Sequence, residues 1–204
     1  MTKQSIHFII NPISGTGKQA NIEEKISQEL DSLKFDTYLH YTTHKGHATE
    51  IAKQMVAEKA EVVAAVGGDG TVNEVAQAMV SSSSILGIIP TGSGNGLARH
   101  LSIPQNVSKA LRLINTLNTK EIDSCTANEQ FFMNVSGIGY DAHISHCFAS
   151  ARKRGMKTYV KLILSEWWTY SVRNYKISIN NTEVFSGDAV QVSFANGTQF
   201  GNNV

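Results

Sequence analysis

The chain has 204 residues, 41% of them hydrophobic, and only three prolines, so it is long enough to bury one large core or two modest ones. Its formal net charge of +1 excludes a general electrostatic attraction to nucleic acid, and no nucleic-acid partner is predicted. The apolar run at residues 6–10 is too short for a signal peptide, and no run approaches the roughly 20 apolar residues that span a bilayer, so we expect a cytoplasmic protein. Cys125 and Cys147 lie in no metal-ligand spacing and are predicted to be ordinary thiols.

Strand and helix signals alternate through the first part of the chain. Short apolar runs predict strands at 6–10, 37–41, 62–66 and 85–90. Helical periodicity predicts helices at 20–33, 46–60 and 71–80, the first of them from the spacing of Ile22, Ile26, Leu30 and Leu33. Because crossover helices must cover both faces of a parallel sheet, this alternation predicts an α/β domain with a doubly wound parallel sheet.

The sequence pattern changes near residue 120. Short β-like runs separated by Asn and Gly turns follow at 121–125, 130–138, 175–181 and 189–196, with one helical stretch around 143–171. We therefore predict an α/β domain at 1–119 and a mainly antiparallel domain at 120–204. The glycine- and asparagine-rich ending after the last strand is typical of a loop before a further strand, so we expect a truncated domain with an unpaired strand edge near 190–194.

Asp69 lies in the glycine-rich turn of the stretch VVAAVGGDGTVNEV (62–75). Such a turn exposes backbone N–H groups and the positive helix end at the carboxyl edge of the sheet, which favours a phosphate group. Since a carboxylate repels phosphate, Asp69 is predicted to act through Mg²⁺, a water molecule or a hydroxyl group to be activated. The alternative is that Asp69 only shapes the turn, while Thr71 and Glu74 form a capping box at the next helix.

Two further glycine loops follow the first and fourth strands, which places all three at the same edge of a parallel sheet. NPISGTGK (11–18) offers Ser14, Gly15 and Lys18 to a phosphate but does not match a Walker A loop. It matches the loose G-x-G-x-x-A dinucleotide fingerprint, yet the second strand ends without the acidic ribose ligand. In PTGSGNGLAR (90–99) the glycines permit close approach of a ligand, and Arg99 could reach a phosphate.

Four blocks in this order and spacing resemble the diacylglycerol kinase catalytic domain shared with sphingosine kinases: NPISGTGK (11–18), THKGHA (43–48), GGDGTVNEV (67–75) and PTGSGNGLAR (90–99). The resemblance extends through EID (121–123), FFMNVSGIGYDA (131–142) and RGMKTYVKLIL (154–164), and so covers nearly the whole chain. It implies a nucleotide-binding α/β domain followed by a β-sandwich domain, ATP bound in the cleft between them, and a lipid hydroxyl as phosphate acceptor.

By the same resemblance, nucleotide contacts fall on residues 11–15, 43 and 67–73, and Asp69 organises Mg²⁺ or the acceptor hydroxyl. Asp69 is thus the predicted catalytic residue and the predicted Mg²⁺ ligand. Together with the loop residues, the predicted ATP contacts are Asn11, Pro12, Ser14, Gly15, Lys18, Thr43, Gly67, Gly68, Gly70, Thr71, Asn73, Gly92, Ser93 and Arg99.

Two departures from the family pattern bear on activity. Many soluble diacylglycerol kinases carry Asp where this chain has Gly96, whereas sphingosine-kinase-like members lack that acid, so the lipid acceptor is left open. Family members also continue past the stretch equivalent to NGTQFG (196–201) into a segment with an Asp-Gly motif that is thought to supply the general base. The general base is therefore expected beyond Val204, and the 204-residue form is expected to be inactive or weakly active.

The segment 149–170 combines basic residues with Trp167 and Trp168, a combination that can hold a protein at an anionic bilayer where a lipid substrate resides. The basic residues are Arg152, Lys153, Arg154 and Lys157. The alternative is a solvated basic turn beside a packed helix. We expect a lipid substrate at a membrane surface and peripheral association of the protein, and a homodimer is left open.

Three rival functions are kept open. A NAD kinase also uses a GGDG loop in a two-domain architecture, although the blocks at 11–18 and 90–99 fit lipid kinases better. A noncatalytic ATP-binding fragment would bind nucleotide without transfer. A dehydrogenase is the weakest rival, since the acidic ribose ligand is missing.

Overall fold

The computed structural model describes residues 3–15, 21–150 and 156–197, apart from the side chains of Ala149, Met156 and Lys157. The described residues form two compact units. The N-terminal unit contains those of Met1–Asn134 and Asn196–Val204, and the C-terminal unit contains Val135–Ala195. The domain boundary expected between residues 119 and 120 stays a prediction.

A four-stranded parallel sheet forms the centre of the N-terminal unit. Its strands are β1 (Gln4–Ile10), β2 (Phe35–Tyr41), β3 (Val62–Gly67) and β4 (Ile85–Pro90), in the spatial order β2-β1-β3-β4. The helices between them are α1 (Ile22–Glu29), α2 (His47–Ala57) and α3 (Asp69–Met79). The predicted alternation of strand and helix is confirmed, and so is the α/β class. Two further helices follow β4, namely α4 (Gly96–His100) and α5 (Val107–Ile114).

Both faces of this sheet are buried, as a doubly wound arrangement requires. Phe8 packs in a core cluster with residues of α1 and α5, such as Ile26 and Leu111. The next residue along β1, Ile9, packs in a second cluster with residues of α2 and α3, such as Val75. Successive side chains of a strand point to opposite faces, so this alternation places one helix pair on each side of the sheet.

The first helix is shorter than its apolar spacing predicts. Helix α1 ends at Glu29, Leu30 is buried, and Leu33 is 84% exposed, so the prediction that Leu33 continues the buried stripe is wrong. Asp31 explains the break, because its side chain accepts a hydrogen bond from Leu33 N–H (3.0 Å) and its carbonyl accepts one from Lys34 N–H (3.0 Å). A side chain that bonds the nearby backbone in this way competes with the helix.

Helix α5 lies in a segment for which the sequence pattern predicted no helix. Its N-cap residue Asn106 accepts a hydrogen bond from Lys109 N–H (3.1 Å), and Val107, Ala110 and Leu111 form its buried face. A polar N-cap followed by apolar residues at this spacing is a recognisable helix start. The stretch is short, at eight residues.

The strands after residue 120 are antiparallel, as predicted. The hairpin β5 (Cys125–Ala127) and β6 (Gln130–Phe132) belongs to the N-terminal unit. In the C-terminal unit, β7 (Val135–Gly139) pairs with β10 (Gln191–Ala195), and β8 (Arg173–Ile179) pairs with β9 (Thr182–Ala189). The strand expected to have an unpaired edge near 190–194 is β10. It pairs with β7 along one edge, and no other described strand pairs with it.

Two helices occupy the region where one helical stretch was predicted. They are α6 (Tyr140–Ala149) and α7 (Met156–Glu166), so the single stretch at 143–171 is wrong. After α7, Trp167 is 53% exposed with its ring edge against Tyr140, and Trp168 is 87% exposed. The basic residues Arg152, Lys153 and Arg154 lie outside the described residues, as does the side chain of Lys157. Among the described helices, none has the length and hydropathy to cross a membrane.

Candidate active site

The loops that follow β1, β3 and β4 lie at one edge of the sheet, because these strands are parallel neighbours. Two backbone hydrogen bonds continue the pairing past the strand ends. Asn11 N–H donates to the Val66 carbonyl (3.0 Å), and Thr91 N–H donates to the Gly67 carbonyl (2.9 Å). The predicted convergence of the three glycine loops is therefore confirmed.

The loop after β1 packs directly on the loop after β4. The hydroxyl groups of Ser14 and Thr91 are 2.7 Å apart and both residues are buried. Gly15 has a φ of +62°, and a Cβ on it would lie 1.8 Å from the Thr91 carbonyl oxygen. Only glycine fits at this position, since any side chain would collide with the neighbouring backbone.

The loop after β3 also packs on the loop after β4. A Cβ on Gly92 would lie 2.5 Å from the Cα of Gly68, and a Cβ on Gly68 would lie 3.2 Å from the Cα of Gly92. Gly67 is equally confined, with the side chain of Thr71 2.4 Å from its Cβ position. These glycines are needed for loop packing, whatever ligand the edge binds.

Gly70 is different because nothing in the described structure needs its small size. A Cβ there would meet no atom within 4 Å, although Gly70 lies in the first turn of α3. Helix α3 begins after Gly68, which offers no side-chain cap, so within the described residues no N-cap side chain occupies its first-turn N–H groups. The surface at Gly70 is thus open and close to backbone donors, an arrangement that suits an anionic group.

Asp69 begins α3 and its side chain reaches the loop after β4. Its Oδ1 accepts a hydrogen bond from Leu97 N–H (3.3 Å), and its Oδ2 lies 3.2 Å from the Cβ position of Gly94. Within the described ranges, Oδ2 has no hydrogen-bonding partner, and the residue is exposed. One carboxylate oxygen therefore supports the loop while the other is available to a cation or a donor.

The side chains of Asn11 and Asn73 are engaged within the N-terminal unit. Asn11 donates from Nδ2 to the hydroxyl of buried Thr71 (3.0 Å) and accepts from Ile13 N–H (3.1 Å). Asn73 donates to the carbonyl of Phe131 in β6 (3.3 Å). Both asparagines thus orient the loops around the edge.

The predicted capping box at Thr71 and Glu74 is wrong. Thr71 lies inside α3, two residues after its first residue, because the helix already begins at Asp69. Glu74 instead accepts a hydrogen bond from Gly46 N–H (3.1 Å), and its carbonyl accepts one from the Thr49 hydroxyl (2.9 Å). The glutamate therefore joins α3 to the start of α2.

Asn95 lies in the loop at 90–99 that the sequence predicted to approach a ligand, although it was not named there as a contact. It is 3% exposed with a φ of +51°, and its Nδ2 donates to the Gly92 carbonyl (2.9 Å) and to Gln105 Oε1 (3.0 Å). Its Oδ1 is buried without a hydrogen-bonding partner in the described structure and lies 2.7 Å from the Cβ position of Gly92. An asparagine between glycines is a signal for the left-handed conformation, and an unmatched buried acceptor suits a ligand that donates a hydrogen bond.

The remaining residues predicted to contact ATP differ in their position and hydrogen bonding. Thr43 follows β2 at the same edge, with its hydroxyl 3.1 Å from His47 Nδ1. Arg99 donates from Nε to the Gly94 carbonyl (3.0 Å) and so supports the loop. Ser93 and Pro12 are exposed. Lys18 lies outside the described residues.

Comparison with known proteins identifies the family. Residues 5–127 match the diacylglycerol kinase catalytic domain, and all three loops lie in that range. The chain belongs to the diacylglycerol kinase catalytic domain family. The predicted resemblance is therefore confirmed.

Individual relatives agree with this assignment. The chain is 34% identical over 135 residues to a diacylglycerol kinase of Bacillus subtilis, covering 65% of this chain and 45% of that protein. It is 25% identical to a diacylglycerol kinase of Staphylococcus carnosus over 189 residues, 91% of this chain and 62% of that protein. A solved diacylglycerol kinase structure from Bacillus anthracis has a TM-score of 0.68 and 26% identity, covering 97% of this chain and 64% of that chain. The chain thus spans about half to two thirds of the length of these proteins.

This member of the diacylglycerol kinase catalytic domain family also has a cavity of about 200 Å³ beside α4. Its lining combines apolar and charged groups: Leu97, His100, Lys120, Glu121, Ile122, Asp123, Met133 and Asn196. Asn196 holds two parts of the wall together by donating to the carbonyls of Asp123 and Met133 (both 2.8 Å). Leu97 connects this cavity to the glycine loops, because its backbone N–H is the donor to Asp69.

Proposed function

We propose that this chain supplies the ATP-binding part of a lipid kinase, which transfers the γ-phosphoryl group of ATP to a lipid hydroxyl such as that of diacylglycerol or sphingosine. The observation that carries the proposal is the contact of three glycine loops at one sheet edge, with Asp69 projecting among them. Phosphoryl transfer depends mainly on positioning and on neutralising phosphate charge, and these loops offer backbone groups for both.

The residues at this edge fit ATP and Mg²⁺. The open surface at Gly70, next to the start of α3, fits a phosphate group. Asp69 Oδ2 is an available carboxylate oxygen of the kind that Mg²⁺ binds, and Asn95 Oδ1 is a buried acceptor suited to a hydroxyl group or a metal-bound water. Mg²⁺ held there would neutralise charge on the phosphates.

Other residues of the edge act by keeping these groups in place. The pair Ser14 and Thr91 locks the first loop against the third, and the contact of Gly68 with Gly92 locks the second against the third. Such rigid support is what allows a site to bind charged groups without reorganising when they arrive. The cavity beside Leu97 lies next to Asp69's donor and is the place where we expect an acceptor hydroxyl.

The acceptor class is inferred from the family. Relatives named diacylglycerol kinase support a lipid acceptor, and the exposed ring of Trp168 is consistent with peripheral contact at a bilayer. A NAD kinase is less favoured, because the family match is to the diacylglycerol kinase domain.

The test is the change Asp69→Asn, which keeps the size of the side chain and removes its charge. We expect the Mg²⁺-dependent part of the affinity for an ATP analogue to be lost in calorimetric titrations of this chain. In a longer form that carries the expected Asp-Gly segment, we expect lipid phosphorylation in diacylglycerol micelles to fall by about 10³, or roughly 4 kcal/mol. The matched control is Asp36→Asn. Asp36 is an exposed residue near the start of β2, at the sheet edge away from the glycine loops, and it forms an ion pair with Lys3. If Asp69→Asn and Asp36→Asn bind Mg²⁺ and ATP alike, Asp69 only shapes its turn.

A noncatalytic role makes a different prediction in the same experiment. ATP would then bind tightly and in a Gly70-dependent manner, but no labelled phosphate would appear in diacylglycerol, sphingosine or NAD even with the longer form that carries the expected Asp-Gly segment. Transfer to NAD alone would instead support the NAD kinase alternative.

A further inference from the structure

A cluster of three side chains in the C-terminal unit combines nitrogen, sulfur and oxygen ligand atoms. His143 Nε2 lies 2.8 Å from Glu166 Oε2, and Cys147 Sγ lies 3.7 Å from His143 Nε2. All three ligand atoms lie within 4.8 Å of one another, and all three residues are half-buried. No sequence pattern indicated this cluster, because its third residue comes from a different helix.

The two helices bring these residues together by ordinary packing. His143 and Cys147 are four residues apart on α6, so they lie on the same face of the helix. Glu166 is the last residue of α7. The hydroxyl of Tyr140 in α6 donates to the Ile163 carbonyl in α7, and the ring of Tyr140 packs edge-on against Trp167. These contacts hold the end of α7 beside the histidine.

The distance between the nitrogen and sulfur ligand atoms fits a tetrahedral metal. With Zn–N near 2.0 Å and Zn–S near 2.3 Å, tetrahedral geometry separates N and S ligands by about 3.5 Å. The observed N to S distance of 3.7 Å is close to this value. The N to O distance of 2.8 Å is that of a hydrogen bond. A metal would take the place of the shared proton, and the His143 and Glu166 side chains would move slightly apart to accommodate it.

The ligand types select among metals. Imidazole nitrogen with thiolate sulfur suits Zn²⁺ and disfavours Mg²⁺ and Ca²⁺, which prefer oxygen.

We propose that His143, Cys147 and Glu166 form a Zn²⁺ site that links α6 to α7, with a water molecule as the fourth ligand. Binding requires a thiolate and a neutral imidazole whose Nε2 carries no proton, so the Cys147 thiol releases its proton to solvent and the proton shared by His143 Nε2 and Glu166 leaves to solvent or is replaced by one on Nδ1 as the metal–ligand bonds form. The metal then joins the two helices and stabilises the C-terminal unit against unfolding. This site is separate from the glycine-loop edge, so the proposal does not depend on the kinase assignment.

The experiment is a titration of the chelator-treated protein with Co²⁺ and Zn²⁺. We expect one equivalent of Co²⁺ to produce the d–d bands of a tetrahedral complex and a thiolate-to-metal charge-transfer band, and one equivalent of Zn²⁺ to remove both. We also expect saturating Zn²⁺ to raise the melting temperature.

Matched variants assign the ligands. Cys147→Ser should abolish the charge-transfer band, and Cys125→Ser, which changes the other thiol, should leave it intact. His143→Gln should weaken Zn²⁺ binding by about 100-fold, whereas His146→Gln, on the exposed side of the same helix, should not. Circular dichroism in chelator checks that each variant folds.

The outcomes decide the proposal. A charge-transfer band that survives Cys147→Ser, or that disappears in Cys125→Ser, would overturn the assignment. So would the absence of Zn²⁺ binding at micromolar concentration in the wild-type protein, which requires no variant to fold. In that case His143 and Glu166 would form only a hydrogen-bonded pair between two helices.

Discussion

The substitution Gly70→Ala is expected to change the stability of the fold and the affinity for nucleotide in opposite directions. The added Cβ would meet no atom within 4 Å, and Gly70 is not among the residues with positive φ, so the change adds no clash or backbone strain. Alanine is favoured over glycine in a helix interior by about 1 kcal/mol, and less in a first turn, so we expect a gain of about 0.5 kcal/mol in the free energy of unfolding. For a chain of this size that is a rise of about 1–2 °C in melting temperature.

The same methyl group should weaken nucleotide binding. If a phosphate lies over the first turn of α3, a Cβ at Gly70 enters the space that it occupies. We expect the affinity for an ATP analogue with Mg²⁺ to fall at least tenfold, or about 1.4 kcal/mol. Urea unfolding measures the stability, and isothermal titration calorimetry measures the affinity.

Gln77→Gly is the control for this experiment. Gln77 is exposed near the end of the same helix, so its replacement by glycine should cost about 1 kcal/mol of stability and leave nucleotide affinity unchanged. Gly70→Ala is therefore expected to raise stability and lower nucleotide affinity, whereas Gln77→Gly is expected to lower stability and leave the affinity unchanged. If Gly70→Ala binds the nucleotide as tightly as the wild-type protein, the phosphates do not lie at the start of α3.

Three further predictions concern the fold and its pH dependence. Gly15→Ala should destabilise the N-terminal unit by about 2 kcal/mol or more in urea unfolding, because its Cβ would collide with the Thr91 carbonyl; an unchanged midpoint would contradict the loop packing. Leu30→Ala should cost about 2–3 kcal/mol, whereas Leu33→Ala should lie within about 0.5 kcal/mol of wild type, and equal effects would contradict the early end of α1. Burial lowers the pKa of His7 and His40 from 6.5, so the unfolded chain binds more protons as the pH falls below that value and stability is lost there. His40→Gln should reduce this loss between about pH 7 and pH 5 in melting experiments, and an unchanged pH slope would contradict the assignment.

Much of the N-terminal unit follows from local sequence pattern. Short apolar runs marked β1 to β4 correctly, since a strand buried on both faces must be apolar throughout, as β3 is. Alternation with helices then required a parallel sheet, and parallel strands required their following loops to share one edge. The position of Asp69 at the candidate site could therefore be predicted before any contact was known.

Contacts between distant segments were decided only by the tertiary structure. Ser14 and Thr91 are 77 residues apart, and no local pattern indicates that their hydroxyls meet. The burial of Asn95 depends on how the loop after β4 folds against Gln105. Leu33 matched the periodicity of α1, yet it is exposed because Asp31 bonds the backbone instead.

The same limit applies to the C-terminal unit. His143 and Cys147 show helical spacing, but Glu166 joins them only because α7 packs beside α6. Periodicity reports which face of a helix or strand is buried, since burial favours apolar residues locally. It does not report which polar groups from separate elements meet, because that depends on the packing of whole elements, and this is why the tertiary structure was needed to reveal the cluster.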